Sequence, residues 1–265
     1  MAWRAPRYGL LHEARRTGVT NLSATDSSGT NREDPLFPLA NLIDDRAGMP
    51  FKFTTSGAAH RIDIDSVLVD TQTIDRLFIP AGHNLTGTLD VLSDDEPTFT
   101  GASVILNNYA IPASGAVDAS IGTWVIERYT RIRFDATGKW EIPELYLTET
   151  LTTAIGPEQG WDDDLIEHVL HLEKASGASA HFQQGPDQRR WRLTYPGVSA
   201  AADLEILEQL YALGTHRVFL FDPPYDDEPA VLATIANRRR QNETRVPTGG
   251  TKTMRYEFEV LESLA

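Results

Sequence analysis

The chain contains no cysteine. Disulfides, thiolate metal sites and cysteine nucleophiles are therefore excluded, and the redox compartment is left open. No segment approaches ~18 consecutive apolar residues, and the opening MAWRAPRYGLLHEARR has no uninterrupted apolar stretch of signal-peptide length. Neither membrane insertion nor an export signal is expected. Bases are scarce: Lys and Arg number 24 against 38 acids, split evenly as 13 against 20 in residues 1–150 and 11 against 18 in residues 151–265. A chain this acidic repels a phosphate backbone unless its basic groups segregate on one face, and Arg238, Arg239, Arg240 and Arg245 are the one candidate. The plainer account is a strand end whose arginines pair with surrounding acids, so no nucleic-acid partner is expected. Also missing are a GxSxG elbow, a GxxxxGK[ST] loop, a GxGxxG turn and an HExxH helix. These absences point away from an enzyme.

What is present is the composition of a folded protein. Hydrophobic residues make up 41% and charged residues 23% of 265 positions, enough for two ordinary domains or one large one. Residues 1–34 read as an arm, aromatic and basic at first and then the aperiodic, turn-rich TNLSATDSSGTNRED. From residue 60 short apolar alternations follow between turn signals: RIDIDSVLV, TIDRLFIP, TLDVLS, ASVILN, TWVIERY, TRIRFDA and EIPELYLTET. That spacing predicts a sandwich in which Ile132 and Phe134 oppose Arg131 and Arg133, and Leu145 and Leu147 oppose Glu144 and Tyr146. Gly, Pro and acids in TTAIGPEQGWDDD mark a junction, giving domains at 35–152 and 153–265. In the second, DDDLIEHVLHLEKASG fits a helix or a strand and hairpin, with the strand preferred. SAADLEILEQLYALG predicts a helix at about 199–213, with Ser199 as N-cap, Leu204, Leu207, Leu210 and Tyr211 as its apolar stripe, and Gly214 ending it. RRWRLTY, RVFLFD, VLATIANR and TMRYEFEVLES read as strands.

Several clusters are candidates for chemistry. In LANLIDDRAGMPFKF, Asp44 and Asp45 precede Arg46 and an apolar cluster with Phe51 and Phe53. His168 and His171 lie beside Asp162, Asp163 and Asp164; on a helix they would share a face fit for a metal, on a strand they would point apart. Asp222, Asp226, Asp227 and Glu228 in DPPYDDEP offer oxygens to Ca²⁺ but lack the EF-hand spacing, and a Pro-stiffened loop is the simpler reading. Trp124, Trp140, Trp161 and Trp191 could stack on a sugar or fill a core.

NLIDDRAGMPFKF, HRIDID, ERYTRIRF and WEIPELYL occur in the order of the discoidin or F5/8 type C family, and residues 35–150 resemble its galactose-binding-like jelly roll. The family usually has Trp where this chain has Phe51 or Phe53, so no lectin pocket carries over. PLANLIDDRAGMPFKF with IDRLFIPAGHNL looks like that domain in bacteriophage tail proteins. RRWRLTY, LEILEQL, VFLFDPPYDDEP and RYEFEVLES resemble the β-sandwich-plus-helix domain of tail tube and distal tail proteins. The resemblance implies a mainly β chain of two sandwiches, the first a jelly roll and the second with one packed helix. It further implies a non-enzymatic virion component of a phage tail or tail tip, made in the host cytoplasm and assembled with copies of itself and other tail proteins. Exposed edge strands suit such assembly, and TKTMRYEFEVLES is the candidate edge, with Arg255, Tyr256, Glu257 and Phe258 as interface residues. An ordinary outer strand is the other reading. The rival function is a carbohydrate-binding module that attaches a particle or cell-surface assembly to host glycans. Asp44 and Asp45 sit where discoidin-like domains order a loop, so either a hydrogen-bonded or Arg46-paired turn or a structural Ca²⁺ site is expected there; no other cofactor is.

Overall fold

The computed structural model describes residues 7–11, 22–43, 49–55, 58–65, 73–125, 128–135, 137–157, 162–166, 169–173, 179–183, 188–215, 217–223, 228–243 and 253–263. The described residues are mainly β, with one α-helix among them. In chain order the elements are β1 (Arg7–Leu11), β2 (Leu22–Asp26), a 3-10 turn (Leu39–Leu42), β3 (Phe51–Lys52), β4 (His60–Asp65), β5 (Thr73–Ile79), β6 (Thr88–Asp94), β7 (Ser103–Ala110), β8 (Val117–Val125), β9 (Tyr129–Phe134), β10 (Glu141–Ile142), β11 (Tyr146–Thr152), β12 (Asp162–Ile166), β13 (Val169–Glu173), β14 (Ser179–Gln183), β15 (Gln188–Val198), α1 (Ala201–Leu213), β16 (Val218–Asp222), β17 (Val231–Glu243) and β18 (Thr253–Glu262). Two compact units result, one of Gly9–Thr150 and one of Met1–Tyr8 with Leu151–Leu264.

In the N-terminal unit an antiparallel sheet in the order β2-β4-β9-β6-β7 faces the antiparallel strands β11-β5-β8. Every second residue points between the sheets, so Ile62, Leu89, Val91, Ile132 and Phe134 from one meet Leu77, Ile79, Val117, Ala119 and Leu147 from the other. Ile132 and Phe134 are buried while Arg131 and Arg133 lie on the outer face, as the alternation predicts. Around β11 the expected split between a core face and a wet face fails. Glu144 and Tyr146 are as buried as Leu145 and Leu147, and Phe78, opposite Tyr146 in register, packs its ring 6.3 Å away on the same face.

Phe51 and Phe53 are packing residues: both are buried, 4.7 Å apart edge to face, with Phe53 stacked 4.4 Å from the His60 ring. The polar stretch expected to be an aperiodic arm instead forms β2, paired with β4 from Leu22 opposite Ile64 to Asp26 opposite His60. Its turn is organised by the buried Asp26 carboxylate. That group accepts from Ser28 N (2.8 Å), Thr30 N (3.1 Å) and Arg32 Nε (2.7 Å), and from the Ser28 hydroxyl, which is the main reason its pKa lies far below the usual carboxylate range. Five residues of mixed polarity give too short a period to read without the partner strand.

His60 is completely buried, with Nε2 2.8 Å from the Gly138 carbonyl oxygen. Burial lowers its pKa from the ordinary 6.5, and the Arg32 charge acts in the same direction while Gly138 and Asp26 oppose it. The unfolded chain therefore binds the proton more readily than the folded unit, so stability rises with pH through the window that ends near 6.5. Urea midpoints of the N-terminal unit are expected to fall between pH 7.5 and pH 5.5, and His60→Phe is expected to flatten that slope. An unchanged slope in the variant would assign the effect to other groups.

In the C-terminal unit an antiparallel sheet runs β12-β15-β18-β17-β16, and β13 and β14 form a separate hairpin. DDDLIEHVLHLE thus supplies strands, the preferred reading. The helix begins two residues later than predicted. Ala200 is its N-cap with no side-chain bond, in place of Ser199, and Asp203 turns inward so that its carboxylate accepts from Ala154 N at 2.7 Å. Gly214 ends it at φ +74°, a left-handed conformation that glycine adopts without strain. Leu207, Leu210 and Leu213 are its buried stripe. The core is aromatic: Trp191, Tyr195, Phe219, Phe221, Tyr256 and Phe258 are all buried, and Tyr8 from β1 joins them, 5.9 Å from Phe221 and with its hydroxyl bonded to that of Tyr195.

The expectation of an open edge at the terminal strand is corrected. β18 is an interior strand, paired with β15 from Arg190 opposite Leu261 to Val198 opposite Met254, and with β17 from Ala233 opposite Glu262 to Glu243 opposite Thr253. Strict alternation of Tyr256, Phe258 and Val260 with acids is compatible with an edge or an interior strand, and only the partners distinguish them.

Candidate functional site

Two rungs of the N-terminal five-stranded sheet define the site. On β4 the outward residues include Asp63 and Asp65, and on β9 they include Tyr129 and Arg131. Register sets Asp63 opposite Arg131 and Asp65 opposite Tyr129. Arg131 makes a forked ion pair with Asp63, Nε to Oδ1 at 2.6 Å and Nη2 to Oδ2 at 2.8 Å. Arg128, just before β9, forks Asp65 in the same way at 3.0 and 3.1 Å, and this bond is the main cause of its raised pKa. Each guanidinium also stacks on an aromatic ring: Arg131 on Phe99 at 3.9 Å and Arg128 on Tyr129 at 4.9 Å. The unit of aromatic ring, guanidinium and carboxylate is therefore present twice.

Phe99 reaches the sheet from the β6–β7 connection, DEPTFTG. Asp94 Oδ1 accepts from Glu96 N at 3.1 Å, starting the turn, and Phe99 N donates to Glu96 O at 3.3 Å. Phe99 has φ +56°. For a bulky L-residue this left-handed conformation costs about 1–2 kcal/mol, a strain that ordinary turn residues such as Gly or Asn would avoid. Leu22, Ser23, Asp63, Asp65, Pro97, Phe99 and Tyr129 line one shallow depression of ≈ 320 Å³. The outer face continues with buried Asp90, which pairs with Arg133 and accepts from Asn108 N at 2.6 Å.

The sites proposed from sequence lie elsewhere. Asp44 and Asp45, with Arg46, fall outside the described residues, as do His168, Trp161, Asp226, Asp227 and Arg245. Among the described residues no group of three or more His, Asp or Glu side chains is placed to hold a metal ion. His171 is in a strand, opposite His181. Asp222 and Glu228 each have an arginine partner, Arg7 at 2.8 Å and Arg189 at 2.9 Å. Trp140 and Trp191 are buried and Trp124 is in β8, so the first two fill cores and present no platform for a sugar. Arg238 and Arg240 stack on Tyr211 at 4.6 and 5.1 Å, and Arg240 also pairs with Glu208 at 2.8 Å, fastening α1 to the sheet. Of the expected interface residues, Tyr256 is buried against α1 with its hydroxyl on Glu208, Arg255 pairs with Glu257, and Glu257 and Phe258 line an open groove of ≈ 420 Å³ with Arg192 and Arg239.

No residue of the two-rung site was singled out from the sequence for chemistry. A signal was there: HRIDID places two acids on the face that YTRIRF fills with bases, a match visible once the strands are paired.

Neither a family model nor a curated protein matches the sequence. The fold is similar over about half the chain to several solved carbohydrate-binding domains. One is chitosan-binding module 1 of a chitosanase/glucanase from Paenibacillus sp. IK-5, with 16% identity over 49% of this chain and 96% of that one, TM-score 0.40. Another is the family 32 carbohydrate-binding module of Clostridium perfringens NanJ in complex with galactose, with 10% identity over 54% and 99%, TM-score 0.40. A third is the CBM32-6 module of GH89 from Clostridium perfringens, with 11% identity over 51% and 98%, TM-score 0.39. At these identities and scores, any ligand of this chain has to be argued from its own residues.

Proposed function

We propose that the N-terminal unit is a carbohydrate-binding module that takes a neutral saccharide at the Asp63, Asp65, Phe99 and Tyr129 depression. The observation that carries this reading is one shallow hollow lined by two carboxylates and two aromatic rings, Asp63, Asp65, Phe99 and Tyr129, with Arg131 bridging Asp63 to Phe99 and Arg128 bridging Asp65 to Tyr129. A pyranose has an apolar C–H face that packs on an aromatic ring and hydroxyls at its rim that donate to carboxylate oxygens. Each Asp63 oxygen bonded to the Arg131 guanidinium has a second lone pair that can accept from such a donor, and the fork fixes its direction. One guanidinium per carboxylate leaves the hollow close to neutral, which disfavours acidic sugars. Both oxygens of each carboxylate are engaged, the geometry of an anchor and not of a proton donor, so the reading is binding without turnover.

The hollow is small and open, and an affinity of about −4 to −6 kcal/mol, millimolar to tens of micromolar, is expected. A glycan array with the full chain, followed by calorimetry on the best neutral glycan, tests the proposal. Phe99→Gly is expected to weaken binding of the best neutral glycan about tenfold while leaving the melting temperature nearly unchanged, because relief of about 1–2 kcal/mol of left-handed strain offsets the lost ring contact and the added chain entropy. Absence of any neutral-glycan binding, or full binding by the variant, would overturn it.

A further inference from the structure

We infer that the depression reads two linked sugar rings and not one, an inference that rests on the carbohydrate-binding reading. The Asp63–Arg131 and Asp65–Tyr129 rungs are two residues apart on the same pair of strands and face the same way. That places equivalent points of the two rungs about 6–7 Å apart along β4. Phe99 serves the first rung through Arg131, and Tyr129 serves the second through Arg128. One pyranose packs its C–H face on one ring at a time and leaves the other ring uncovered, so a monosaccharide uses half of the aromatic surface. Two rings joined by one glycosidic bond present two C–H faces and two sets of hydroxyls at a spacing of this order. Both rungs open into one hollow, whose remaining walls are Leu22 and Ser23 on one side and Pro97 on the other. The ligand class is a neutral disaccharide unit, free or within a longer chain.

Calorimetry with the full chain against a monosaccharide, its disaccharide and its trisaccharide, taken from the best neutral glycan of the array, tests the assignment. The disaccharide is expected to bind about tenfold tighter than the monosaccharide, the worth of one further ring contact with its hydrogen bonds, and the trisaccharide to add little. Phe99→Gly and Tyr129→Leu, each checked for an unchanged melting temperature, are expected to reduce disaccharide affinity to that of the monosaccharide. Equal affinity for one and two sugars would overturn the two-ring assignment and leave the binding function standing. So would a constant gain with every added sugar. Failure of every glycan to bind would remove both.

Discussion

Replacing Tyr8 with alanine is expected to destabilise the C-terminal unit by about 3–5 kcal/mol, the cost of removing a fully buried aromatic ring. Only 1% of Tyr8 is exposed, and its ring lies 6.3 Å from Phe219 and 5.9 Å from Phe221. Its hydroxyl bonds that of Tyr195, itself fully buried, and burial raises the pKa of both phenols so that they stay neutral. Alanine would leave a cavity and take away the partner of a buried hydroxyl. Tyr8→Phe separates the two effects, since it keeps the ring and gives up only the hydrogen bond, about 1–2 kcal/mol. Denaturant unfolding followed by the emission of the buried Trp191 reports the change. Because the protein has two compact units, the N-terminal transition is fitted separately. A shift below about 1 kcal/mol for the alanine variant would show that β1 is dispensable to this core.

Phe53→Ala is expected to cost the N-terminal unit a similar 3–5 kcal/mol or thereabouts. Its ring is 4.7 Å from Phe51, 4.4 Å from His60 and 6.4 Å from Phe134, joining β3 to β4 and β9. A second consequence follows. The ring is part of what keeps water from His60, so its loss should let that imidazole titrate nearer 6.5, its ordinary value, and weaken the pH dependence expected of the wild type. Phe53→Trp is expected to overpack the site by about 1–3 kcal/mol. Urea unfolding of the three proteins at pH 5.5 and 7.5 measures both effects. A large loss of stability with an unaltered pH slope would show that Phe53 fills space without shielding His60.

The two-layer β character of the first half was legible because alternation is a local signal. TRIRF shows its buried and exposed faces in five letters. The fate of TMRYEFEVLES was not, since the same alternation serves an edge and an interior strand, and the tail-assembly expectation drew its physical support from the edge. The two-rung site was hidden for a related reason. Asp63 and Arg131 are far apart in sequence and meet only through register, and Phe99 takes part through a backbone conformation that a phenylalanine rarely adopts. Charge composition was equally silent. It shows an acidic chain, while the pairing that makes one hollow nearly neutral depends on which strand lies beside which.

The place of Tyr8 also has a consequence for synthesis. The C-terminal unit is discontinuous, Tyr8 at its first segment being separated from the rest by Gly9–Thr150. A ribosome adding about 5–20 residues per second exposes Tyr8 on the order of ten seconds or more before Trp191 and Phe221 are made. The intervening unit has all its strands by then and is free to fold first. The early tyrosine waits as an unpaired aromatic, and the last-made strand, β18, completes the core that receives it.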